Sequence, residues 1–444
     1  MLRTLALGSA FCLILTSCGG APKRWGGGGG GPSEGKGGKP APTAPKVDYG
    51  ALGEREVSGA YPVHPVNALG GALTGQLQAT APPDLRTGAS GDGTPQTQLT
   101  FRIGAGGPMV CWVRGARTDA GTLLQNHLDE VKKEMEKHGV KGQLQTPEIT
   151  VEVEGNHPVL YADVPVVVAG ANNEEKRGLI KLGVSTRDGG SLLCMHDEVG
   201  YRKTFRRIVG GFVTSLTVAG DRPQPVYTEI SIAKLEGKTI GFAELYEFVE
   251  PTQIRTVQVL TSATTKRVDG KTAWTVSDSV RATFATPKGE VISIKSMTVA
   301  NKKQVTSVEL KRGKGPLDYV YEGVVNGTKV KGSFSTPRLI ETESSLAVRA
   351  QQVASGKAKD LKYLAYDEEQ RVEGPLEITV TREDPKTLSH KADDGRVWTT
   401  SIDALGMPER VMHPRDKAGE RLIIERAYSQ GQPSALAPAK KPQP

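Results

Sequence analysis

Four short glycine turns constrain this chain more than any other feature. Asp188-Gly189-Gly190, Asp269-Gly270, Asn326-Gly327 and Asp394-Gly395 each stand between stretches in which apolar and polar residues alternate. Alternation is the two-residue period of a strand with one face buried. An Asn-Gly or Asp-Gly pair accepts the positive φ of a tight type I′ turn, so the chain can double back at once. Strands joined this way are antiparallel, because parallel neighbours need a crossover of a dozen or more residues.

Between residues 49 and 220 the strands are interrupted by helical periods. Leu99-Thr100-Phe101-Arg102-Ile103 and Ile149-Thr150-Val151-Glu152-Val153-Glu154 alternate, and Gly155-Asn156 turns the second into Val159–Val168. Leu179–Thr186 and Ser191–Cys194 flank the first glycine turn. Asp119 is placed to cap a helix in which Leu124, Leu128, Val131 and Met135 fall on one face, with Gly139 as its stop. A second helix is expected over about 198–217, with Phe205, Ile208, Phe212 and Leu216 in step and Asp197 as its cap. The element order resembles the PsbP-like α/β sandwich of bacterial envelope proteins, and no functional residue carries over with that resemblance.

From 225 to 430 strands dominate. Leu376–Thr381 and Ser307–Arg312 alternate cleanly, and only about 341–355 reads as helix, with Leu346, Ala350 and Val353 in step. Ten or more antiparallel strands with one inserted helix tend to curl, because twisted open sheets of that size do not stay flat. The region resembles the LolA-like carriers of bacterial envelopes and the β-rich regions that precede some bacterial transglutaminase-like domains. The expected fold class is therefore α+β: an α/β sandwich (49–220) followed by a mostly antiparallel β half-barrel with one inserted helix (225–430).

The two ends of the chain read differently. Arg3 precedes an apolar run, Leu5 to Leu15, of eleven residues. That is shorter than the ~20 a spanning helix needs and fits a signal peptide, residues 1–17. The run ends in Leu15-Thr16-Ser17-Cys18, which resembles the lipobox of bacterial lipoproteins. The resemblance implies that Cys18 becomes the first mature residue, carries a diacylglycerol on its thiol and anchors the protein to a membrane. In Gram-negative relatives an Asp after that Cys marks inner-membrane retention. Gly19 stands there instead, which implies the periplasmic face of the outer membrane in such a cell. Residues 19–48 then hold eleven Gly and five Pro with no apolar period. With Cys18 they form a tether, 18–48, spanning ~30 Å as a flexible coil. The tail, 431–444, reads as disordered as well.

Chemistry is sparse. With Cys12 removed in the signal peptide and Cys18 acylated, Cys111 and Cys194 remain as an even pair in an oxidising compartment, and a disulfide is expected. Two buried free thiols are the alternative. A Cys-Trp pair such as Cys111-Trp112 also marks the nucleophile of transglutaminases. That chemistry needs a thiolate at a helix N-terminus, a His and an orienting acid. Cys111 falls in an expected strand some eight residues before the helix, with His157 and Asp163 as the available partners. Cys194-Met195-His196-Asp197-Glu198 holds metal-ligating types but lacks a partner cluster. The chain has no G-x-S-x-G, H-E-x-x-H, C-x-x-C or Walker A run, and no cofactor or metal is expected. Lys+Arg 57 against Asp+Glu 49 gives a net charge of +8 spread along the chain. A nucleic-acid binder clusters its basic residues, so that partner is not expected.

These features point to a non-enzymatic binding or scaffold module of the cell envelope, held on the membrane and meeting an envelope protein or a lipid. One alternative is a carrier of lipid or another hydrophobic ligand in the β region. Aromatics at 5% of the chain count mildly against it. The other is a Cys111-dependent enzyme. Two outcomes are expected. Cys18→Ala abolishes acylation, and the protein then leaves the membrane fraction in a high-salt wash; full retention of that variant refutes the lipid anchor. Reduction lowers the melting temperature of the 49–220 fragment, because the 84-residue loop closed by Cys111 and Cys194 is worth ~4–5 kcal/mol of unfolded-chain entropy. An unchanged melting temperature in reductant refutes the crosslink.

Overall fold

The computed structural model describes residues 57–434, apart from residues 58, 105, 106, 139, 141, 170–174, 188, 219–222, 269, 270, 417 and 418. Cys18, the tether and the end of the tail lie outside the described residues, as do Gly139 and the turn pair Asp269-Gly270. The described chain is mostly antiparallel β with three α-helices.

In chain order the elements before residue 220 are β1 (Val63–Leu69), β2 (Leu73–Gln78), β3 (Asp84–Ala89), β4 (Pro95–Arg102), β5 (Pro108–Arg114), α1 (Ala120–Lys137), β6 (Gly142–Leu144), β7 (Glu148–Glu154), β8 (His157–Ala169), β9 (Glu175–Arg187), β10 (Gly190–His196), α2 (Arg202–Ser215) and β11 (Thr217–Val218). They build a three-stranded sheet, β1-β2-β11, and an eight-stranded sheet, β3-β4-β5-β10-β9-β8-β6, with β7 also paired to β8. After them come β12 (Tyr227–Leu235), β13 (Lys238–Val249), β14 (Ile254–Val268), β15 (Lys271–Ala285), β16 (Val291–Ala300), β17 (Lys303–Arg312), β18 (Asp318–Val325), β19 (Thr328–Ser335), α3 (Glu343–Ala354), β20 (Asp360–Ala365), β21 (Leu376–Arg382), β22 (Thr387–Ala392), β23 (Val397–Ile402), β24 (Pro408–Met412) and β25 (Leu422–Gly431). These fourteen strands form one sheet. Two meanders, β12 to β19 and β20 to β25, are joined by the β12–β25 pair.

The eight-stranded sheet is covered on both faces. One face sends Leu99, Phe101, Cys111 and Val113 toward α2, whose Phe205, Ile208, Val209 and Phe212 meet them. The other sends Leu160, Ala162 and Val164 of β8 and Leu182 and Val184 of β9 toward Leu124 and Leu128 of α1. Burial on both faces explains why β8 and β9 read as apolar runs rather than strict alternations. Phe242, Ala263 and Val276 of the large sheet join that second core. Helix α1 is thus wedged between the two sheets, and a fragment ending near residue 220 would leave its outer flank bare. The effect of reduction is therefore best measured on the whole chain.

The start of α1 departs from the sequence reading. Asp119 stands at the N-cap but makes no side-chain cap bond. The carboxylate that meets the helix belongs to Asp278, on β15. Its Oδ1 accepts from the Gly121 amide at 3.0 Å, and its Oδ2 accepts from the Thr122 amide at 2.7 Å and the Thr122 hydroxyl at 2.9 Å. Thr261 of β14 donates a further bond to Oδ1 at 2.8 Å. Gly121 permits the approach, because a Cβ there would stand 2.4 Å from Val276 Cγ1. With Asp278 occupying the helix end, Asp119 is left as a second, half-buried acid beside it. Burial first, and then the Asp278 charge, push its pKa up to about 6, against the pull of Arg117.

Helix α2 is shorter than expected. It begins at Arg202 after Tyr201 in the left-handed region (φ 59°), so Asp197 is too far upstream to cap it. Its last carbonyls, on Val213 and Leu216, each accept from the buried Arg187 guanidinium at 2.6 Å, the charge that the negative end of a helix favours. The Asn326-Gly327 turn has φ of 51° and 79°, as a type I′ turn requires. At Asp394-Gly395 only the glycine has positive φ, and the loop holds three residues, Asp393 to Gly395, between Ala392 and Arg396. Glycine takes the left-handed place of a three-residue hairpin there, which spares Asp394 from adopting it.

The large sheet curls but does not close by hydrogen bonds, since β19 and β20 end it unpaired to each other. Side chains span the gap. Phe334 of β19 stacks between Tyr319 at 5.6 Å and Tyr366 at 5.8 Å. Arg281 of β15 reaches across to Glu368 at 2.9 Å and to the Tyr366 carbonyl at 2.9 Å. Helix α3 packs Leu346, Ala347, Val353 and Ala354 into the interior with Leu245, Leu260, Ile378 and Leu388.

Asp278→Ala removes the acceptor of two amides at a buried helix end, and a loss of about 2 kcal/mol is expected in denaturant melts. Asp119→Ala, which breaks no cap bond, is expected to change stability by less than about 1 kcal/mol. The reverse order of the two would overturn the assignment of the cap.

Candidate functional site

The structure brings Cys111 and Cys194 together. They are directly opposed on β5 and β10, with Sγ–Sγ 2.09 Å and Cα–Cα 4.0 Å, and both are fully buried. A disulfide sulfur in mid-strand is not a thiolate at a helix end, and α1 starts well beyond it. His157 and Asp163 do not complete a triad either. They lie six residues apart on β8, ~20 Å along an extended strand. Asp163 is held by Arg202 and by Arg206 at 3.3 Å. Burial, and then Arg187 and Arg117, push the His157 pKa down to about 3. His196 ends β10 fully buried, its ring edge-on to Tyr201 at 5.7 Å. Glu198 accepts from the Gly107 amide through its carboxylate and from Lys181 Nζ through its carbonyl. Among the described residues no group of three or more His, Cys, Asp or Glu is placed to hold a metal ion.

The large sheet carries hollows on its inner and outer faces. The interior beneath α3 is almost filled. Leu346, Leu361, Val380, Leu388 and Met407 leave a cavity of about 40 Å³, with His390 and Thr400 at its wall. That is room for about one or two waters. The outer face carries a trough of about 660 Å³, within the ~300–1,000 Å³ of ligand clefts.

The trough follows from register. Tyr246, Val257, Ala282, Lys295, Glu309 and Glu322 are successive cross-strand partners from β13 to β18. In the next row Val259, Val280, Met297 and Ser307 do the same from β14 to β17. Valines and Met297 make an apolar floor, and Met297 stays 38% exposed. The loop before α1 overhangs one end with Arg117 and Asp119. Arg117 is set by the fully buried Glu244, at 2.7 Å, which also accepts from the Tyr246 hydroxyl. Burial and the Glu244 charge push the Tyr246 pKa well up, so that hydroxyl stays a donor. Arg255 lies over the Phe248 ring at 4.1 Å. At the far end Glu309 sits between Lys311 at 2.8 Å and Lys295 at 3.2 Å, which hold its carboxyl below the usual range. The arrangement offers apolar contact in the middle and charges of both signs at the ends.

Sequence reasoning missed this trough. Alternation marks that Val257, Val280 and Met297 share a face with the residues two along. It does not say that this face stays open beside α1 while the same face of neighbouring strands is covered. Two glutamates on the trough's strands, Glu244 and Glu309, are held by Arg117, Lys295 and Lys311, and only the first of those pairings is distant in sequence.

No helix among the described residues is long and apolar enough to cross a membrane. No family model and no curated protein matches the chain. Among solved structures, it is similar to a beta-barrel-like protein of domain of unknown function DUF1849 from Brucella abortus. The match has 13% identity and a TM-score of 0.31 over 47% of this chain and 98% of that one, too low a likeness to bear on function.

Proposed function

We propose that this protein is a non-enzymatic binding module of the cell envelope, tethered through Cys18 and engaging an envelope protein through the trough on the large sheet. In this reading an α/β sandwich region and a curved antiparallel half-barrel region act as one rigid support. The observation that carries the proposal is the trough itself. An exposed Met297 and the half-buried Val257 and Val280 lie in a cleft of about 660 Å³ with charges of both signs at its ends. Apolar floors with polar rims are the usual anatomy of protein contact sites. Arg117, held in place by the buried Glu244, loses little freedom on binding, which favours specific docking.

The alternative is a carrier of lipid or another hydrophobic ligand in the β region; the small cavity beneath α3, about 40 Å³, gives an enclosed acyl chain little support. The two readings part on a direct test. A photo-crosslinking amino acid at Met297 in cells is expected to give a discrete protein adduct that disappears when Val280→Glu charges the floor. Val280 faces outward and is half-buried, so melting of that variant should be close to unchanged. No adduct, or one that survives Val280→Glu, would overturn the proposal. Saturable uptake of a fluorescent fatty acid by the whole chain would favour the carrier instead.

A further inference from the structure

The face of the eight-stranded sheet opposite the disulfide holds a second cleft, of about 590 Å³, between the strands, the flank of α1 and the turn joining β3 to β4. Its floor comes from the two-residue period. Cys111 and Val113 face α2, so Trp112 and Arg114 face the other way, with Leu193 opposite Trp112 and Gln96 opposite Arg114. Its wall comes from the helical period, because Leu123, Asn126, His127, Glu130 and Lys133 form one stripe of α1. The Trp112 ring is half-buried and held on one side by His127, centroids 4.8 Å apart. The Nε2 of His127 lies 3.1 Å from Met195 Sδ, and burial pushes its pKa down to about 4, so it is a neutral support for the indole. Arg114 is fixed by Asp92 at 2.5 Å and by the Ser90 hydroxyl at 3.1 Å. The side-chain amides of Gln96 and Asn126 face the same cleft and have no hydrogen-bond partner among the described residues.

We infer that this cleft binds a glycan carrying N-acetylated hexosamine. An indole face receives the apolar face of a pyranose ring, a contact that neither a nucleotide phosphate nor an acyl chain needs. Planar amides on two sides both donate and accept, as an acetamido group and ring hydroxyls require. Leu123 and Leu193 beside the indole take the acetyl methyl. Asp92 and Glu130 stand among Arg114, Lys133 and Lys302 around the cleft, so that hydroxyl donors and acceptors are both served. The site is separate from the trough and stands or falls independently of it.

The test uses the full chain in detergent with its disulfide intact, and a soluble trimer of N-acetylglucosamine as probe. Saturable binding with a change in tryptophan fluorescence is expected. The Gln96→Ala/Asn126→Ala double variant, both at half-buried positions, should keep its melting temperature and bind at least about tenfold more weakly. Trp112→Phe, which preserves a ring in the floor, should bind and lose the fluorescence change. Two sources of the sugar are separated by pelleting assays, with cell-wall sacculi in one arm and vesicles bearing an N-acetylated glycolipid in the other. Retention in either arm that the free trimer competes away supports the site and names its source. Absence of saturable binding to the trimer, or equal affinity in the double variant, overturns the inference.

Discussion

The carboxylate of Asp278 at the start of α1 is the interaction on which the rest depends. It joins two sheets that no backbone ladder connects among the described residues. One partner is a helix end with unsatisfied amides and a partial positive charge, and the other is a buried acid that needs donors. Either alone would be costly inside a core, and together each satisfies the other. Gly121 lets the backbone come close enough, and Thr261 and Thr122 supply the remaining donors. Around this contact Phe242, Ala263 and Val276 complete the core begun by Leu124 and Leu128.

Wedging α1 in this way positions both clefts. The loop leading into the helix overhangs the trough with Arg117, and the opposite flank of the helix walls the Trp112 cleft. A shift of α1 along its axis would change both at once. The large sheet, for its part, can remain open at β19 and β20 because its gap is filled by aromatic stacking and by the Arg281–Glu368 pair rather than by a ladder. Such a pair is buried on both sides, and removing one partner would leave an uncompensated charge. The gap is therefore held shut by specific side chains, while α3 fills the interior that a wider barrel would leave empty.

The sequence was most legible where the relevant physics is local. Alternation located β4, β7, β17 and β21, and Asn326-Gly327 marked its hairpin, because side-chain direction and backbone φ are decided within a few residues. The apolar stripe of α1 was readable for the same reason. Its cap was not, since an aspartate 157 positions away competes with the one adjacent. The limits of α2 were missed because Tyr201 adopts a left-handed backbone that its residue type does not announce. At Asp394-Gly395 the dipeptide marked a turn but not its length.

By itself, then, the sequence determined the antiparallel hairpins, three helical segments and a glycine-rich stretch after Cys18. Each of these follows from period, composition or count. Only the tertiary structure decided that Cys111 faces Cys194 across one rung, that Asp278 caps α1, and that the face bearing Val280 and Met297 is left open. Those outcomes depend on which strands become neighbours and which faces find a cover. Such choices are made by burial summed over residues far apart in the chain, where local pattern carries no information.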